Sequence, residues 1–422
     1  MLKNMRRTFF YLFLLFICSP LVSSGYSVLS HEAIIDVSWD KSIRPALLQR
    51  FPQAGGEELI EARAYAYGGS LVADIGYYPF GAKLFTDLVH YVRSGDFVTT
   101  LIDESQDINE YAFALGALCH YYADRYGHPL GTNKCAPIVY PKVGRRFGRE
   151  VTYAQHPLSH IRTEFGFDVL QTARGNYASE KYHDFIGFKI ARPVLERAFL
   201  KTYGLDINKV FLDLGLAIDT YRWIIVHFFP TLTRMAWASK KNDIQKTTPG
   251  ITRRKFERRL ESIRHYREYG KEEHDGPGFS ATVVAWAIKI VPKVGPLRKY
   301  KIKMPGPEAE DLFMKSFDTT TVHYIAAVAL LSGGAKGLPN VDFDTGNETC
   351  PGEYVLADQT YGKLLLKLKK SNFHTANPQL RKNILSFYSH DNGKVAEHVD
   401  VKNQWKIEQA LQELGSLPIG MK

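Results

Sequence analysis

The stretch "HYYADRYGHP" (120–129) sets His120, Asp124 and His128 at four-residue intervals, at the end of a long apolar run. Residues four apart stack on one face of a helix. That helix must bury apolar sides and still present three metal-ligand side chains in a row. A bundle of helices around a shared polar interior meets both demands.

The rest of the chain agrees with such a bundle. Helical periodicity runs through 57–75, 81–94, 107–126, 156–173, 181–202, 205–240 and 252–270, and alternating strand patterns are scarce. Gly and Pro punctuate between these segments, as in "YYPFG", "GHPLGTN" and "TTPGI". The expected fold is all-α. With 422 residues, 45% of them hydrophobic, the chain has ample core material, and its length alone suggests two or three domains. There is no repeat and no low-complexity tract.

Further ligand-type residues lie in the first 170 positions. His31 follows "YSVLS", Asp74 sits in "LVADIGYYP", His90 in "FTDLVHYVRSGDF", and "HIRTEFGFD" carries His160 and Glu164 four apart. Imidazole nitrogens and carboxylate oxygens suit Zn²⁺, and an open coordination position makes such a site catalytic. Gly116 and Ala117, one turn before His120, read as small residues that leave room for ions and substrate. Leu115, Leu118 and Tyr122 read as the core-facing side. An isolated HxxxD pair serves as often as a local hydrogen bond, so the inference rests on the whole set. His156, ahead of Pro157, reads as the N-terminal residue of its helix and competes with His128 as a ligand. The remaining histidines lack carboxylates at useful spacing.

In this order the motifs resemble the zinc-dependent phospholipase C superfamily, which also contains zinc-dependent single-strand nucleases. The likeness covers residues 26–170 by motif and reaches 270 by helix pattern. It implies a mature N-terminus at Tyr26, in place of the usual Trp, binding zinc through its amine and carbonyl, with His31 as its companion. It further implies that Asp74, His90, His120 and Asp124 hold a second ion, with Asp124 bridging the two. His128, His160 and Glu164 then hold a third, so the expected cofactor is three Zn²⁺ ions. Asp74 is expected to act as ligand, proton acceptor or both. Tyr121, Tyr122 and Asp168 are expected around these ligands.

The activity implied is hydrolysis of a phospholipid or related phosphoester by metal-activated water. A single-strand nuclease or nucleotidase is the alternative. Glu164 favours the lipase branch, since the nucleases tend to have Asp there, and 26–170 lacks an aromatic-interleaved basic groove. A non-catalytic metal-binding surface protein is the third reading, opposed by the presence of every ligand type.

"MLKNMRRTFFYLFLLFICSPLVSSG" (1–25) has the basic start, apolar run and small-residue end of a signal peptide. Cleavage after Gly25 and export to a periplasmic or extracellular space are expected. Residues 26–275 are read as the catalytic domain and 276–422 as a mostly helical C-terminal extension. The extension opens with apolar "ATVVAWAIKIVPKVG" and basic "LRKYKIK", then helices near 308–332, 359–370, 377–389 and 400–415. Packing on the first domain is its expected role, with peripheral contact to a membrane surface as the alternative. A formal net charge of +10 suits an anionic surface or phosphoester substrate. Lys142, Arg145, Arg146 and Arg149, in a long insertion at 129–155, either meet a phosphate or solvate a loop. Cys119 reads as a small apolar core residue, and Cys135 and Cys350 as a pair able to join under oxidising conditions.

Overall fold

The computed structural model describes residues 26–176, 188–225, 229–262, 302–335, 337–389 and 401–417. Residues 1–25, expected to be a leader, and the apolar segment 281–291 lie outside them. The fold is all-α: among the described residues there are no strands, and Val341 and Glu348 form an isolated antiparallel bridge.

The chain opens with α1 (Val28–Ser38), a π turn (Trp39–Ile43) and α2 (Arg44–Arg50). Next comes α3 (Gly56–Val72), which tightens into a 3₁₀ turn (Ala73–Tyr77), followed by α4 (Lys83–Tyr91) and α5 (Ser94–Glu104). The central helix is α6 (Ile108–Gly127). Asp107 caps it by accepting the N–H groups of Asn109 and Glu110, both at 2.9 Å. It is buried on nearly every side, so Leu115 and Leu118 do not define a separate core face, and Tyr122 is only half-buried. A π turn (His128–Thr132) containing Pro129 ends it.

The insertion at 129–155 is not an open loop. It folds into α7 (Asn133–Val139) and α8 (Pro141–Phe147), with Lys142, Arg145, Arg146 and Arg149 exposed to solvent. Helix α9 (Pro157–Arg174) starts at His156, whose Nδ1 accepts the Ser159 N–H at 3.1 Å, so His156 is a cap. Pro157 and Gly175 (φ 82°) mark its two ends.

The region 205–240 is broken where one helix is expected. After α10 (Arg192–Tyr203) come a 3₁₀ turn (Ile207–Lys209), α11 (Leu214–Trp223) and α12 (Phe229–Thr247). Asp206 and Asp213 cause the breaks. Each side chain accepts a backbone N–H just ahead of it, from Asn208 and Leu216 respectively, and so competes with a continuous helix. Helix α13 (Arg253–Ser262) follows.

The C-terminal helices are α14 (Pro307–Ser332), α15 (Val355–Lys370), α16 (Pro378–Ser389) and α17 (Val401–Ser416). They share one continuous hydrophobic core with α1–α11. Phe313 and Tyr324 from α14, Phe343 from the following loop and Tyr361 from α15 are all buried in it. Helix α14 lies along α6, and the Tyr324 hydroxyl donates to the Leu115 carbonyl at 3.0 Å. A second, smaller core joins α9 to α12 and α13 through Val169, Trp237 and Phe256. Among the described residues, no helix is long and apolar enough to cross a membrane.

The three cysteines of the described chain are free thiols. Cys135 is buried and donates to the Ala309 carbonyl at 3.2 Å. Cys135 and Cys350, able to join under oxidising conditions, are not joined here.

Candidate metal centre

Helix α6 is packed unusually closely on α3. A Cβ on Gly116 would stand 2.0 Å from the Ala66 carbonyl oxygen, and one on Gly69 would stand 1.9 Å from that of Phe113. Gly116 is thus small for the sake of helix contact, not to make room for ions. The contact lets the Ser70 carbonyl of α3 meet His120 Nδ1 at 2.9 Å.

Around this pair the ligand-type side chains converge in three groups: His31, His120 and Asp124; Asp74, His90 and His120; and His128, His160 and Glu164. All eight are buried. Asp124 lies at the centre of the first two. Its Oδ1 is 3.3 Å from His31 Nε2, and its Oδ2 is 3.1 Å from His120 Nε2 and 3.5 Å from His90 Nε2. Asp74 Oδ1 is 3.4 Å from His90 Nε2. In the third group, Glu164 Oε1 lies 3.4 Å from His160 Nδ1 and 4.0 Å from His128 Nε2.

The outer nitrogens of four imidazoles are engaged by backbone carbonyls. His31 Nδ1 faces Ser27 at 3.3 Å, His90 Nδ1 faces Thr86 at 2.9 Å, and His120 faces Ser70 as above. His160 Nε2 faces Val151 at 2.7 Å. An outer carbonyl fixes the N–H on that side and leaves a lone pair aimed into the cluster, as metal-ligating histidines require. Local sequence explains several of these contacts. Within α4 and at the start of α1, the carbonyl lies four residues before the histidine, one helical turn away.

The donor set fits divalent metal. Buried polar atoms without a hydrogen-bond partner gather here: His120 Nε2, Asp124 Oδ2, both ring nitrogens of His128, His160 Nδ1, both Glu164 oxygens and Asp344 Oδ1. Burial pushes the Glu164 carboxyl well above its ordinary range, reinforced by the charges of Asp124, Asp74 and Asp344. Burial also opposes ionisation of Asp124, yet the neighbouring His120, His31 and His90 outweigh it and hold that carboxyl well below the usual range. Burial and the nearby His128 lower His160 to about 4, which keeps its ring neutral and able to coordinate. Several buried carboxylates so close together require cations among them.

Tyr26 lies beside the first group. Its ring is buried, 5.2 Å from Phe313 and edge-on to His31 at 6.3 Å, and its hydroxyl bonds Ser316 of α14. Of the expected surrounding residues, Asp168 holds α1 in place by accepting from Leu29 N at 3.3 Å and Ser30 Oγ at 3.1 Å. Tyr121 instead donates to the Pro339 carbonyl at 2.8 Å, and Tyr122 stacks on Tyr126. Neither of these two tyrosines is directed at the ligands in the way expected, because the loop after α14 and the neighbouring turn of α6 take them up.

One residue at this centre escapes sequence reasoning. Asp344 from that same loop is fully buried, with Oδ1 3.0 Å from His128 Nδ1. Nothing in its local sequence links it to His128.

Residues 31–212 match the family model for zinc dependent phospholipase C. This segment is similar to that family. The match contains the ligand-type residues from His31 through Glu164, whereas Tyr26 precedes it and Asp344 follows it. Comparison with the curated proteins and with the solved structures yields no match.

Proposed function

We propose that this protein belongs to the zinc-dependent phospholipase C family and is an exported phosphodiesterase that hydrolyses phospholipid or a closely related phosphoester with three Zn²⁺ ions. The observation that carries the reading is the convergence of three buried His/carboxylate groups, the first two joined through Asp124 and His120. Tyr26 and His31 with Asp124 would hold one ion. Asp74, His90, His120 and Asp124 would hold the second, and His128, His160 and Glu164 the third. Bound there, zinc supplies a Lewis acid that lowers the pKa of water and steadies charge on phosphoester oxygens.

The chain's own residues do the rest. The carbonyls behind His31, His90, His120 and His160 keep those rings in one tautomer. Asp74, with 3% of its side chain exposed, is slightly more open than the other carboxylates of the set, Asp124 at 0% and Glu164 at 1%. We assign it the role of taking the proton from an attacking water. The tight α3–α6 seam and the Tyr26 ring exclude bulk water from the inner side, which strengthens every charge contact there.

Two expected results test this reading. First, metal analysis of purified protein finds zinc, and a chelator abolishes release of phosphorylated head group from phospholipid vesicles. In a side-by-side assay at one zinc concentration, vesicles are cleaved faster than single-stranded DNA. The overall positive charge favours an anionic lipid surface, with each basic residue near it contributing about 1 kcal/mol. Faster DNA cleavage would favour a nuclease, and chelator-insensitive hydrolysis would remove the zinc chemistry. Second, intact mass of exported protein places Tyr26 first. A version with extra residues ahead of Tyr26 lacks the free amine and binds one zinc fewer. Full zinc content in that version would exclude the N-terminal ligand.

A further inference from the structure

The loop at 338–349 lies outside the segment that matches the family, yet it closes over the metal centre. Phe343 rests on the rings of His90 and His120, at 5.1 and 5.8 Å, and its N–H donates to the His90 carbonyl at 3.2 Å. Asp344 is held from three sides. Its Oδ2 accepts from the Tyr91 hydroxyl at 3.0 Å and from the Tyr354 hydroxyl, and its carbonyl accepts from Asn133 Nδ2 at 2.7 Å. That leaves Oδ1 directed at His128 Nδ1.

We propose that Asp344 is a positioning residue for the His128–His160–Glu164 group, contributed by the C-terminal part of the chain. The inference rests on the zinc reading above. Four of the five imidazoles at the centre have a neutral carbonyl at the outer nitrogen, and His128 has a carboxylate. Asp344 Oδ1 stands 3.0 Å from His128 Nδ1, so a proton on that nitrogen faces the carboxylate and leaves the Nε2 lone pair on the side of Glu164, 4.0 Å away. A carboxylate behind the ring raises its basicity more than a carbonyl does, so this group gains affinity for its ion. The two tyrosine hydroxyls hold the Asp344 carboxylate and Asn133 holds its backbone carbonyl. In effect, the third group is completed by a residue far along the chain from its ligands.

The test is zinc stoichiometry and chelator-competition affinity on the full chain, comparing wild type, Asp344→Asn and Asp342→Asn. Asp344→Asn keeps the side-chain volume and removes the charge. One zinc equivalent should bind about 10- to 100-fold more weakly, with the others unchanged. In the Co²⁺-loaded protein, the visible absorption of that one site should shift. Asp342 lies in the same turn, where it accepts from Asp344 N at 3.1 Å and Thr345 N at 2.8 Å. Asp342→Asn should lower thermal stability while leaving zinc affinity intact. Wild-type affinity at all sites in Asp344→Asn would overturn the inference. So would an equal loss in Asp342→Asn, which would show that only the loop's fold matters. Wild-type protein that binds no zinc would instead overturn the metal reading itself.

Discussion

Asp124→Asn is expected to remove about two zinc ions from the protein, and Glu164→Gln about one. The two oxygens of Asp124 face three imidazoles, His31 through Oδ1 and His120 and His90 through Oδ2. Neutralising it takes charge from both ligand groups at once. Glu164 faces only His128 and His160, so its loss is confined to the third group. A metal held only by the folded protein stabilises it by linkage, so each lost ion should also lower stability. Thermal melts in zinc-replete buffer should rank wild type above Glu164→Gln above Asp124→Asn, and the order should collapse once all three are chelated. Elemental analysis decides the matter, and equal zinc content in the two variants would rule out a shared Asp124.

A single methyl group at the α3–α6 seam should be nearly as damaging. Gly116→Ala places a Cβ within 2.0 Å of the Ala66 carbonyl oxygen, and Gly69→Ala places one within 1.9 Å of the Phe113 oxygen. Both obstacles are backbone, so the helices must separate. Overpacking of this kind costs about 1–3 kcal/mol and sometimes more. Separation would also pull the Ser70 carbonyl away from His120, so weaker zinc binding should accompany the loss. Denaturant unfolding of the chelated protein measures the first effect and zinc titration the second. Gly56→Ala is the control. It lies in the first turn of α3 with nothing within 4 Å of its added Cβ, and should be neutral or stabilise by about 0.5–1 kcal/mol. Similar behaviour of all three variants would mean that the seam is not tight.

Legibility followed the range of the interaction. The boundaries of α6, α9 and α14 fall within two residues of expectation, because caps and periodicity are local: Asp107, His156 with Pro157, and Gly306 with Pro307. Helix α5 is absent from the expected helices. Arg93 takes a left-handed conformation just ahead of it (φ 51°), but the helix restarts at once. The break in 205–240 lay in Asp206 and Asp213, whose capping role depends on backbone they help to bend.

The same division holds at the metal centre. Four-residue spacing by itself put His120 beside Asp124 and His160 beside Glu164, since a helix turn enforces those neighbours. The order of the motifs along the chain pointed to the family, and helical periodicity to the all-α fold. What only tertiary structure decided is which groups meet across the bundle. Asp124 stands between His31 and His90 because α1 and α4 both pack toward α6. Gly116 faces a backbone and not an ion, and Cys135 faces Ala309 and not Cys350. Asp344 reaches His128 from an irregular loop after α14, where no periodicity marks which way a side chain points. Such contacts depend on packing between segments far apart in the chain, and spacing along the sequence carries no record of them.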